Sequence, residues 1–148
     1  MTTGPVINPS EVYAAGTAVA SLPHKLGTIA YDHLGNKHMF VRADGATANK
    51  LNVRVEAGFE ANPLTGAGVI FGINATGVTV ADNEFYWLQI SGVVTAANCK
   101  TAVSANLHLG RLADANGDFE TVATVDGMAA MALTAEAAGI ADVYLFGI

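Results

Sequence analysis

Glu84-Phe85-Tyr86-Trp87-Leu88-Gln89-Ile90-Ser91-Gly92 decides how this chain folds. Side chains alternate faces along a strand, so Phe85 and Trp87 share one side while Tyr86 and Leu88 share the other. Bulk on both sides is the pattern of a strand covered on both faces, by core or by a subunit neighbour. The run holds the only Trp of the chain, which reads as a core residue before it reads as a sugar platform. Asp82-Asn83 turns the chain into this strand. The run reads as a bulky strand that ends abruptly in Ser91-Gly92; after Gly92, Val93 to Ala97 continues, followed by a turn near Asn98.

Outward from it, the punctuation is that of short strands. Upstream, Gly66 to Asn74 reads as a strand bent at a glycine. Leu51, Val53 and Val55 alternate with Asn52, Arg54 and Glu56, the period of a half-buried strand. Leu26 to Asp32 and Lys37 to Ala43 flank a Leu34-Gly35-Asn36 turn, and Asp44-Gly45 marks the next. Downstream, Leu107 to Ala113 and Phe119 to Val125 flank Asn116-Gly117, a hairpin signal because both residues tolerate positive φ. Leu26 to Asn36 faintly echoes Leu109 to Asp118, which two similar hairpins explain. Met128 to Ala138 has helical propensity with Gly139 as a cap, but its β context favours strand, loop, strand. Asp142 to Phe146 is then the last strand. The expected fold is all-β: a small antiparallel β-barrel or β-sandwich over residues 25–148.

Residues 1–24 differ. They lack strong periodicity and carry Pro5, Pro9 and Pro23, with small residues between Ala14 and Ser21. This segment reads as an extended N-terminal arm ordered on a partner, or equally as a disordered tail. Its apolar residues Val6, Ile7, Val12, Tyr13, Val19 and Leu22 are the candidate partner-binding positions. Phe85, Trp87 and Tyr144 are assigned to packing. Ala18-Val19-Ala20 resembles a signal-peptide cleavage site, but no Lys or Arg precedes it and Glu11 interrupts the apolar part, so the start reads as mature protein.

Length and composition bound the function. The 148 residues suit one domain with a real core. Half the chain is hydrophobic but only 7% is aromatic and 14% charged, so small aliphatic residues build the core and some surface is expected to meet partners. The formal charge is −6, with seven Lys and Arg that form no cluster, which argues against nucleic-acid binding. Asp126, Glu136 and Asp142 cut the C-terminal apolar stretch, so no membrane span is expected there. Cys99 is the single cysteine, which leaves no intrachain disulfide or cysteine metal cage and reads as a small core residue.

Chemistry is sparse. His33 and His38 flank the Leu34-Gly35 turn and are placed to face each other across a hairpin, while His24 and His108 have no evident partner. None has zinc-type spacing. Asp114-Ala-Asn-Gly-Asp118 breaks the EF-hand pattern and reads as the hairpin turn. Gly66-Ala-Gly-Val-Ile-Phe-Gly72 has its third glycine displaced from a dinucleotide loop, and no helix follows. There is no Gly-x-Ser-x-Gly elbow and no phosphate loop. The expectation is a protein that is not an enzyme and needs neither metal nor cofactor.

Three blocks together, Gly72-Ile73 before the Trp strand, Trp87-Leu-Gln-Ile-Ser-Gly92, and Ala129 to Leu145, resemble the capsid decoration, or cement, proteins of tailed bacteriophages. The resemblance runs from about Leu26 to Phe146. It implies a β-barrel or β-sandwich, often a trimer, set on three-fold or quasi-three-fold positions of the mature head. It implies binding to the outer surface of the major capsid protein at subunit junctions, and stabilisation of the expanded head. Such a protein is made in the host cytoplasm and resides in the virion. The Pro-punctuated arm and the Ala-rich stretch before Gly139 depart from that pattern. The alternative is a receptor- or glycan-binding β module on a phage head or tail, for which exposed aromatic residues would be the signature.

Overall fold

A computed structural model describes residues 6–63, 70–100, 103–111, 118–121 and 130–147. The chain is all-β. Among the described residues eleven strands run β1 (Val12–Tyr13), β2 (Ile29–Tyr31), β3 (Lys37–Ala43), β4 (Asn52–Val55), β5 (Glu60–Asn62), β6 (Ile70–Asn74), β7 (Phe85–Asn98), β8 (His108–Arg111), β9 (Phe119–Thr121), β10 (Ala130–Ala132) and β11 (Ile140–Leu145).

The Trp run does not end at Ser91-Gly92. It continues through Gly92 as a strand of 14 residues, well beyond the usual ~5–6. Gly92 permits this because its φ of +101° turns the strand without breaking it. The two halves of β7 serve two sets of partners. Residues before the bend pair with β3 on one edge, and with β1 and β6 on the other. Residues after it pair with β11.

Each half belongs to a closed circuit of pairings. The first runs β7–β3–β5–β4–β6 and back to β7. Its enclosed core holds Met39, Val41, Val53, Tyr86, Leu88 and Ile90. The second runs β7–β11–β10–β8–β9 and returns through a bridge between Cys99 and Phe119, where the Lys100 amide donates to the Phe119 carbonyl at 2.8 Å. Its core is built from smaller side chains, with Val94, Leu109, Phe119, Ala130, Val143 and Leu145 among them. The sequence reading of a wholly antiparallel barrel or sandwich is corrected at one contact. β3 and β5 run parallel, with Arg42 opposite Glu60 and Ala43 opposite Ala61, because β5 folds back on β4 and so re-enters beside β3 in β3's direction. An Arg42–Glu60 ion pair lies on that parallel contact.

The two faces of the Trp run are both covered, as its bulk requires. Tyr86, Leu88 and Ile90 face the first core. Phe85 and Trp87 face a third cluster with Ile7, Ala30 and Phe40, against which Tyr13, Leu22 and Leu26 pack. Residues 6–24 supply Ile7, Tyr13 and Leu22 to this layer. Val6 bridges to Tyr31, the Ile7 amide donates to the Tyr31 carbonyl at 3.1 Å, and β1 pairs Val12 with Tyr86 and Tyr13 with Phe85.

Other local expectations are met in detail. Lys37–Ala43 is β3 with the bounds read from sequence, and the Ala-rich segment is β10, a loop and β11, not a helix. β8 and β9 pair antiparallel as the hairpin reading requires. The Asn116-Gly117 turn, the Asp114–Gly117 run and most of the Gly66–Gly72 run lie outside the described residues. β4 is not half-buried, since Asn52 is as enclosed as Val53. The cause is its neighbour: Asn52 sits opposite Ile73, whose side chain belongs to the second core, so the outer face of β4 is covered as well.

Cys99 is a core residue at the closure of the second circuit, and burial pushes its thiol up to about 11. The native protein should therefore resist a disulfide thiol reagent at neutral pH and react fully once denatured. Rapid stoichiometric labelling of the folded protein would contradict this placement.

Candidate functional site

Two places gather side chains whose arrangement exceeds what folding needs. The first is the outer face of the second circuit. On β11, Ala141, Val143 and Leu145 point into the core, so Ile140, Asp142 and Tyr144 point out. Register then aligns Val93 of β7 with Tyr144, Tyr144 with Met131 of β10, and Met131 with His108 of β8. The result is one row across four strands. Val93, Tyr144 and His108 are exposed and Met131 is half-buried. Phe146 extends the row, its ring centroid 6.4 Å from that of Tyr144 and 6.5 Å from that of His108. Tyr144 and Phe146 are 40% and 41% exposed, far from the near-zero exposure of Trp87. Tyr144 is therefore not a packing residue, a correction of the sequence assignment that period-two alternation along β11 would have supplied.

The second place is a cavity of about 320 Å³ at the bend of β7, lined by Asn36, His38, Lys50, Gln89, Val93 and Thr95 among others. Asp32 anchors its wall. The Asp32 carboxylate accepts hydrogen bonds from the amides of Leu34 (2.8 Å) and Asn36 (2.9 Å) and from the Asn36 side chain (3.0 Å), and its Oδ2 lies 3.1 Å from His38 Nε2. Burial works to raise this carboxyl, but the bonds from Asn36, His38 and Leu34 outweigh it and hold it below its ordinary 3.8. With Asp32 ionised, His38 Nε2 carries the bonded proton. His38 is fully buried, and burial holds its imidazole below the ordinary 6.5 against the attraction of Asp32. His33 is exposed at the turn, so the two histidines do not face each other as expected. His24 lies elsewhere, its ring centroid 4.8 Å from that of Trp87.

Polar capacity in the cavity is mostly spent internally. Asn36 Oδ1 accepts from the Val93 amide at 3.0 Å, and Gln89 Nε2 donates to the Val93 carbonyl at 2.9 Å. The Lys50 ammonium, its pKa lowered by burial against an opposing pull from Asp142, has no carboxylate within ion-pair distance among the described residues. The arrangement braces the bend. No group of three or more His, Cys, Asp or Glu side chains among the described residues could hold a metal ion.

No protein-family model and no curated protein matches this chain. The functional reading therefore stands on the residues themselves.

The six arm positions divide. Ile7, Val12, Tyr13 and Leu22 contact the chain's own clusters. Val6 and Val19 are exposed. Val19 lies on a short 3-10 turn, Val19–Ser21, and lines an open depression with Arg42, Asn83 and Phe85. The outward row was missed from sequence because Met131 and His108 gain meaning only through register with Tyr144. Among the described residues no helix is long and apolar enough to cross a membrane.

Proposed function

We propose that this chain is a virion structural protein, a capsid decoration or cement protein that binds the outer surface of the mature phage head at subunit junctions and stabilises it. The observation that carries this reading is the outward row Val93–Tyr144–Met131–His108, extended by Phe146. It leaves an apolar and aromatic face on the surface of a module whose own cores are already closed. Such a face is suited to burial against the major capsid protein or against sibling copies in a homotrimer. The Trp-strand likeness to decoration proteins points the same way. A protein that binds only the assembled lattice stabilises it by linkage, and trimeric presentation lets several modest contacts act together. No enzymatic step, cofactor, nucleic acid or membrane enters this function.

Co-sedimentation with mature heads that lack the protein tests it. Binding should saturate at a copy number set by lattice sites. Replacing Tyr144 and Phe146 with Glu should leave the fold intact and weaken attachment by about 2 kcal/mol or more, the size of a central anchor, which is roughly thirtyfold in Kd. Unchanged attachment would remove this face from the interface. Absence of any attachment by the native protein would reject decoration.

The exposure of the Tyr144, Phe146 and His108 rings favours one second reading, a glycan- or receptor-binding module on the virion. It predicts glycan-array binding that the same double substitution abolishes, with no saturable attachment to heads.

A further inference from the structure

The cavity at the bend of β7 stands beside one buried nitrogen that none of the functions above employs. His38 Nδ1 is enclosed and has no hydrogen-bond partner among the described residues. With Nε2–H committed to Asp32, Nδ1 is a bare lone pair, which is tolerable while the ring is neutral. Protonation would convert it into a charged buried donor with no acceptor, a costly state. The charges around the ring do not relieve this. Asp32 in the β2–β3 turn is saturated on its other side. Lys50 before β4 lines the same cavity and repels an imidazolium. Lys37 precedes His38 on its own strand, and Asp142 of β11 acts on Lys50. On β7 the register partner of His38 is Gln89, which lines the same cavity and does not titrate.

What hangs on this pair is the join between the two halves of the molecule. The Asp32 carboxylate shapes the tip of the β2–β3 hairpin, and that tip places Asn36 against Gly92 and the Val93 amide. We propose that Asp32 and His38 form an acid-released latch, which clamps the hairpin tip onto the bend of β7 at neutral pH and lets it go when His38 takes up a proton. The sign follows from linkage. His38 in the open tip titrates near its ordinary 6.5, whereas in the closed tip burial keeps it lower. The closed form is therefore fully favoured above 6.5 and loses its advantage as pH falls toward the closed-state value. Between those two values, opening rises about tenfold per pH unit. Asp32, also held low, extends the loss below 3.8.

Amide hydrogen exchange, expressed as protection factors from about pH 7.5 to about pH 4.5, reads this directly. The Val93 and Asn36 amides should lose protection about tenfold per unit below the onset, while the β4 and β10 amides keep theirs. In His38→Gln, which cannot titrate, the Val93 protection factor should no longer change with pH. Should that variant not fold, the ring of His38 followed by NMR in the native protein decides, and it should titrate together with Val93 opening. A Val93 protection factor that stays constant across the range in the native protein, or that falls equally in His38→Gln, would overturn the latch.

Discussion

Trp87→Ala is expected to destabilise the protein by about 3–5 kcal/mol, enough to consume much of a small domain's stability. The ring is fully buried, 5.1 Å from the Phe40 centroid and 4.8 Å from that of His24. Its indole N–H has no acceptor among the described residues, so packing and not a hydrogen bond holds it. The Ala variant leaves a large void between β3, β7 and the 6–24 layer, which are pinned by their own ladders and collapse poorly around it. Trp87→Phe keeps most of the volume, discards the unpaired donor and should cost much less. Urea unfolding measures both. A loss under about 1 kcal/mol for the Ala variant would show that the 6–24 layer is not seated on this face.

Gly92→Val should be the second large effect, about 2–4 kcal/mol from backbone strain and a lost hydrogen bond together. The φ of +101° is a conformation that a β-branched residue resists. A Cβ at this position would also collide with the Asn36 side chain, whose Oδ1 holds the Val93 amide at 3.0 Å. Both circuits share β7, so straightening the bend disturbs both at once. The expected signature is a lower unfolding midpoint with one transition retained. Stability within about 0.5 kcal/mol of the native protein, the range of a neutral surface change, would refute the bend's role.

Much of the fold was legible because the decisive information is local. Bulk on consecutive positions of 85–90 predicted burial on both faces, and the clusters on each side bear that out. Gly and Asn turns located β3, β8, β9 and β11 closely. What stayed hidden was non-local. Nothing in Ser91-Gly92 says whether a strand ends or bends, since glycine permits both, and only the Leu145 opposite Gly92 decides. The parallel β3–β5 contact and the return through Cys99 and Phe119 depend on chain routing and not on residue pattern.

The site was less legible for the same reason. Val6, Ile7, Val12, Tyr13, Val19 and Leu22 are apolar residues in an aperiodic segment, where an apolar side chain serves a partner or its own domain equally well. Here Ile7, Val12, Tyr13 and Leu22 meet the chain's own clusters. The pairing of His38 with Asp32 is not visible in the sequence because Gly35 is the turn's plain signal, while the Asx-type role of Asp32 carries the geometry.

Heat-induced DNA release from mature heads lacking the protein, with and without saturating amounts added back, tests the proposed stabilisation most directly. The account predicts that release shifts to higher temperature as sites fill, reaches a plateau at saturation, and gains nothing from the variant carrying Tyr144→Glu and Phe146→Glu. A release temperature that does not move when the sites are full would contradict it.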